Sequence, residues 1–81
     1  MNRKIKLIWD FKGPAARKTA EHHAVHLNEY SVAEQLDTEE IATQHFSEFN
    51  TTAYMVVDEK DMLRVRDTLK PHRAEVFKNN L

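Results

Sequence analysis

Apolar residues recur at every second position over residues 4–11, where Ile5, Leu7, Trp9 and Phe11 alternate with Lys4, Lys6, Ile8 and Asp10. A period of two sends the two sets to opposite faces of a strand. Gly13 permits the turn that ends it, and Pro14 suits a first helical position. The period then lengthens. At about 100° per residue, Ala16, Ala20, His23, Ala24, Leu27 and Tyr30 share one face. A helix over residues 14–30, reaching at most to Gln35, follows. Its small alanines suit close approach to a sheet, and Val25 falls on the outer side.

Residues 36–50 fit two patterns. Asp37 followed by Glu40 resembles a capping box, which would open a helix. The same stretch also reads as a turn leading into a strand at 41–49. The strand is preferred because the next segment, "TTAYMVVDE" (51–59), is a β-branched and aromatic run that needs a partner. The hairpin turn then falls at Asn50-Thr51. Asp58 or Glu59 caps a short helix over 60–70, with Met62, Val65 and Leu69 inward and Leu63 and Arg66 on its flanks. Pro71 stops it, and residues 72–79 form a last strand.

The order is βαββαβ within a single domain, 1–81. Two right-handed crossovers on an antiparallel sheet give an α+β, ferredoxin-like plait, four strands with both helices on one face. In the usual strand order, 4-1-3-2, the middle strands are 4–11 and 51–58. These are also the two most apolar, while 41–49 and 72–79 are polar enough for edges. The sheet face without helices would carry Ile8, Phe46 or His45, and either Tyr54 and Val56 or Ala53, Met55 and Val57. A half-apolar open face of that kind predicts a homodimer packed through the sheets or their edges.

Composition narrows the chemistry. Eighty-one residues without a cysteine exclude disulfides, cysteine zinc sites and thiol catalysis, and suit a reducing cytoplasm. The core is small, since a chain of this size buries only about 60–65% of its unfolded surface. The N-terminal apolar run is broken by Lys6 and Asp10, too early for a signal peptide or a membrane span. Net charge is −1, from six basic and four acidic groups in residues 1–35 and six and nine in 36–81. Neither half has a basic stripe for nucleic acid. A cytoplasmic protein without membrane or nucleic-acid partners is expected.

The strings "LIWDFKGP", "TAEHHAVHL", "AYMVV" and "VRDTLKPHRAEVF" cover about half the chain. Together they resemble a small family of bacterial proteins, mostly from Bacteroidetes, to which no activity is assigned. The resemblance implies a bacterial source and a short stand-alone domain, and lends no catalytic residue. The element order also looks like that of dimeric α/β-barrel, ACT-like and heavy-metal-associated domains, which is fold analogy alone. Metal-carrying versions use a Cys-x-x-Cys loop, which this chain lacks.

Three histidines crowd residues 22–26. His22 and His26, at i and i+4, can share one metal ion. Glu21 is poorly placed as a third ligand, and "HHAVH" lacks the glutamate of a zinc-protease helix. The plainer alternative is an exposed flank with two neutral imidazoles. His23 points with Ala20 and Leu27 toward the sheet, as a hydrogen-bonded core histidine would, and burial there favours its neutral form. The plait also brings the start of the last strand, His72-Arg73, beside the end of the first, Trp9-Asp10. Asp10, His72 and Arg73 would converge near the free amides of the following helix, a set suited to anion recognition or proton transfer. The purely structural alternative is that Asp10 pairs with Arg73 or caps the turn.

Two functional classes remain. One is a small non-catalytic binding or interaction domain acting as a dimer, with a small anionic ligand and no cofactor. The other is a cofactor-free ferredoxin-like enzyme of oxygenase or isomerase type. It would use a pocket between sheet and helix lined by Trp9, His23 and Tyr54, with His72 or Asp10 as base. Gly13 stands alone, so there is no phosphate-cradling loop, and no nucleophile motif is present.

Overall fold

β1 (Lys4–Lys12) lies between β3 (Asn50–Asp58) and β4 (Arg73–Phe77), and β2 (Thr38–Ser47) pairs on the far side of β3. All pairings are antiparallel, giving a four-stranded sheet in the order β2-β3-β1-β4. α1 (Ala16–Ala33) and α2 (Glu59–Leu69) complete a βαββαβ, ferredoxin-like plait. The computed structural model describes residues 3–77.

The register sorts the faces. Leu7 stands opposite Met55 on one side and Ala74 on the other, Ile5 opposite Val57, and Trp9 opposite Ala53. These β1 and β3 residues form one core with Ala20 and Leu27 of α1 and Val65 of α2, so both helices cover the same face. Along α1 the buried positions are Ala16, Ala20, Leu27 and Ser31, as a helical period requires. Ser31 Oγ meets Thr38 Oγ1 at 2.6 Å, tying the helix end to the start of β2. Asp58 caps α2, its carboxylate accepting from the Lys60 amide at 3.0 Å. Lys70 then turns left-handed with φ 51° and its amide donates to the Arg66 carbonyl, closing the helix before Pro71.

Several boundaries differ from those read in the sequence. Pro14 and Ala15 belong to the turn, and the first helical residue is Ala16, whose amide donates to the Gly13 carbonyl at 3.1 Å. Residues 38–40 are strand, not capping box, because Thr38 and Glu40 pair with Val57 and Val56 across a bulge. The hairpin turn is Glu48-Phe49, since Asn50 already pairs with Ser47 and with Lys12. His72 is a bend ahead of β4, and residues 78–79 of the expected last strand lie outside the described residues.

The face without helices carries Ile8, Tyr54 and Val56, while Ala53, Met55 and Val57 face the helices. The middle of that open face is covered, while Phe46, in the β2 bulge between His45 and Ser47, is 54% exposed. Ile8 is 3% exposed, Val56 0% and Thr52 3%, all within one copy of the chain. Long polar side chains on the same face supply the cover. The Lys6 ammonium lies 4.3 Å from the centre of the Tyr54 ring, a cation–π contact. The Tyr54 hydroxyl donates to Glu40 at 3.0 Å, and Arg73 pairs with Asp10. Among the described residues, no helix is long and apolar enough to cross a membrane.

Candidate functional site

Asp10, His72 and Arg73 do meet at the β1–β4 edge. The Arg73 guanidinium donates through Nε to Asp10 Oδ2 at 3.0 Å and through Nη2 to Oδ1 at 3.1 Å, a two-pronged pair. The His72 amide donates to the Ile8 carbonyl at 2.9 Å, and the Asp10 amide donates to His72 Nδ1 at 2.7 Å. The ring therefore continues the ladder where β4's backbone has ended. Nδ1 must lack a proton to accept there, which leaves the proton of the neutral ring on Nε2.

The hydrogen bond from Arg73 is the main reason the Asp10 carboxyl sits below its ordinary 3.8; charge from Arg73, His72 and Lys12 adds to it against a burial cost. A carboxyl lowered by folding binds fewer protons folded than unfolded. Its contribution is complete above pH 3.8 and is lost as pH falls through the lowered value. Both groups are partly exposed, so the pair is worth little: a double-mutant cycle with Asp10→Ala and Arg73→Ala should give a coupling of about 0.5–1 kcal/mol at pH 7. That coupling should shrink below pH 3.8. Additive losses at pH 7, measured by urea unfolding, would contradict the pairing.

Trp9 and His23 lie on the helix side of the sheet. The Trp9 indole N–H donates to the Leu69 carbonyl at 2.9 Å, anchoring the last turn of α2. The His23 ring centre is 5.0 Å from that of Trp9 and 5.4 Å from that of Phe11. Its Nε2 is buried with no hydrogen-bond partner. The expected hydrogen-bonded core histidine is thus packed inward but unsatisfied at this atom. Burial first, then the charges of His26 and His72, pushes the imidazole below its ordinary value and holds it neutral. An orphaned buried nitrogen costs on the order of 1 kcal/mol or more. His23→Leu should therefore raise stability by about 1 kcal/mol. A clear loss on urea unfolding would mean that Nε2 has a partner in solution.

Tyr54 does not join Trp9 and His23. It pairs with Ile8, one residue out of phase with the Trp9–Ala53 pair, and so occupies the opposite face of the sheet. Burial, followed by its bond to Glu40, raises its phenol above the ordinary 10.0. Tyr54 therefore does not line the expected pocket between sheet and helix with Trp9 and His23.

His22 and His26 share the exposed side of α1, their Nε2 atoms 2.9 Å apart. Glu29 Oε1 lies 3.1 Å from His26 Nδ1. Among the described residues, no group of three or more His, Asp or Glu side chains is placed to hold a metal.

The sequence reading missed a groove of about 450 Å³ at the corner where the β1–α1 turn meets the β2–β3 hairpin, lined by Pro14, Arg17, His45, Glu48 and Phe49. Gly13, at φ 103°, bends the chain there, and its amide donates to the Phe49 carbonyl at 2.9 Å, locking turn to hairpin. His45 Nδ1 bonds the buried Thr51 hydroxyl at 3.0 Å, which fixes the ring at the groove wall. Arg17 reaches Glu21 at 3.4 Å with its side chain 70% exposed, so the guanidinium is loosely held. The first turn of α1 contains no acidic residue and no side-chain cap. The groove draws on three segments, and the exposed aromatic Phe49 beside the turn was the one legible sign of it.

Comparison with models of protein families finds no match to this chain, and comparisons with curated proteins and with solved structures find none either.

Proposed function

We propose that this chain is a small non-catalytic binding domain that works as a homodimer and takes a small anionic ligand in the groove between Pro14 and Phe49. The groove carries this reading. Its volume of about 450 Å³ falls in the range of small-molecule sites. Phe49 and Pro14 offer an apolar wall, Arg17 supplies a mobile cation, and the uncapped start of α1 adds a positive partial charge. Glu48 on the rim opposes a second negative charge, so an aryl or alkyl monocarboxylate fits better than a polyanion. The Asp10–Arg73 pair, by contrast, already satisfies both of its charges internally.

An edge suits the dimer better than the open face, where Ile8, Thr52 and Val56 are already covered within the chain. β2 is bulged near both ends and carries Glu39 and Glu40, which discourage pairing. β4 is an exposed edge with no bulge in its β1 register. An antiparallel pair of β4 strands with Ala74 on the two-fold axis sets Arg73 opposite Glu75 of the second copy, twice over. Asp10 takes only two of the five guanidinium donors.

Titration with benzoate, followed by amide shifts, tests the ligand. Shifts centred on Arg17, His45 and Phe49 that vanish in Arg17→Ala are expected, and none up to millimolar benzoate would overturn it. Native mass spectra at micromolar protein test the dimer: twice the 9.5 kDa chain is expected, reduced to one chain in Glu75→Lys. A single chain in the parent protein would overturn it.

The second reading, a cofactor-free enzyme of oxygenase or isomerase type, is favoured by the unpartnered His23 Nε2. It requires a substrate to part the Trp9, His23 and Phe11 rings. Protection of His23 from diethyl pyrocarbonate while His22 and His26 react would count against it.

A further inference from the structure

We propose that His22 and His26 form an exposed two-nitrogen chelate for a divalent transition-metal ion of tetragonal preference, with Cu²⁺ the strongest binder. The proton arrangement already present makes the case. Glu29 accepts only, so His26 Nδ1 donates to its carboxylate across 3.1 Å. The lone pair of neutral His26 is then on Nε2, and His22 Nε2–H donates to it across 2.9 Å. A metal ion takes the place of that shared proton. The His22 proton moves to Nδ1 of the same ring, both Nε2 lone pairs converge on one point, and two neutral imidazoles bind with no net release of protons.

The spacing selects the geometry. With metal–nitrogen bonds of about 2.0–2.1 Å, nitrogens so close subtend roughly 90° at the ion. A tetrahedral ion would want them about 3.3 Å apart, from the same bond lengths. A right angle is the cis arrangement of square-planar or tetragonal ions, and Cu²⁺ heads the affinity order for nitrogen ligands. Glu29 acts as the positioning residue. Its carboxylate fixes the His26 ring and tautomer, makes Nε2 more basic, and adds negative charge beside the cation. The helix holds both imidazoles on one face one turn apart, so the donors need little rearrangement. The remaining positions on the metal are open to water or to a further ligand. The site is separate from the proposed ligand groove: of the residues that line the groove, only Arg17 lies on α1, five residues before His22 and nearer the start of the helix.

Cu²⁺ titrated into the metal-stripped full-length chain, in a non-coordinating buffer, tests this by calorimetry and electron paramagnetic resonance. One equivalent should bind with two imidazole nitrogens in the equatorial plane. Glu29→Gln should weaken binding about tenfold. His22→Gln and His26→Gln should each weaken it more than Glu29→Gln does and leave a one-nitrogen spectrum. All three positions are exposed, so the fold should be unchanged by circular dichroism. His23, His45 and His72 remain in every variant as the background. A first equivalent of unchanged affinity in the His22→Gln/His26→Gln double variant would overturn the proposal, as would a one-nitrogen signal in the parent chain.

Discussion

Trp9→Ala should remove about 3–5 kcal/mol of stability. A domain of this length has only roughly 4–12 kcal/mol in total. Three consequences of one side chain add up. The indole fills the core between Ala53 and the helices at 3% exposure. It gives His23 one of the two rings against which it packs. Its N–H meets the Leu69 carbonyl, the link from the central strand to the end of α2. Trp9→Phe separates these effects: it keeps an aromatic ring and loses the hydrogen bond, so its loss should be about 1–3 kcal/mol. Urea unfolding of the two variants checks both figures. A loss below 1 kcal/mol for Trp9→Ala would mean that the indole is not in the core.

Leu27→Ala should cost about 2–5 kcal/mol. Leu27 is 1% exposed and belongs to the core with Met55 and Val57 of β3. An alanine there leaves a void between α1 and β3, because its bulky neighbours one turn away, His23 and Tyr30, are already packed in place. Val25, two residues earlier and 56% exposed, is the control. Val25→Ala should change stability by less than about 0.5 kcal/mol. Equal effects at the two positions would mean that α1 is rotated from the orientation described.

The middle of the sheet was legible because its burial is written in its residues. β1 alternates, and β3 is a nearly unbroken run of buried positions from Thr51 to Asp58, as a strand paired on both sides should be. Ile8 was legible as an apolar residue on the open face. What covers it was not, because Lys6, Tyr54 and Glu40 read as ordinary surface residues until the register lays them side by side. β2 was hard to read because most of it is exposed and no alternation marks it. It is a strand because β3 pairs with it.

The turn was misplaced by two residues because Glu48 and Phe49 carry none of the usual turn residues, and the bulge between His45 and Ser47 shifts the register beside them. That shift hid the groove, which depends on where the hairpin ends. The meeting of Asp10, His72 and Arg73 followed from topology alone. The role of the His72 ring as a stand-in for a backbone carbonyl depends on a side-chain torsion that no sequence pattern encodes.

Everything placed at the two sheet ends depends on β1 lying between β3 and β4. Nuclear Overhauser contacts among backbone protons report that order directly. Leu7 should show cross-strand contacts to Met55 on one side and to Ala74 on the other, and β2 should contact β3 alone. Contacts running from Leu7 to residues 38–47 in place of Ala74 would mean a different strand order, and the β1–β4 edge and the hairpin corner would lose their neighbours.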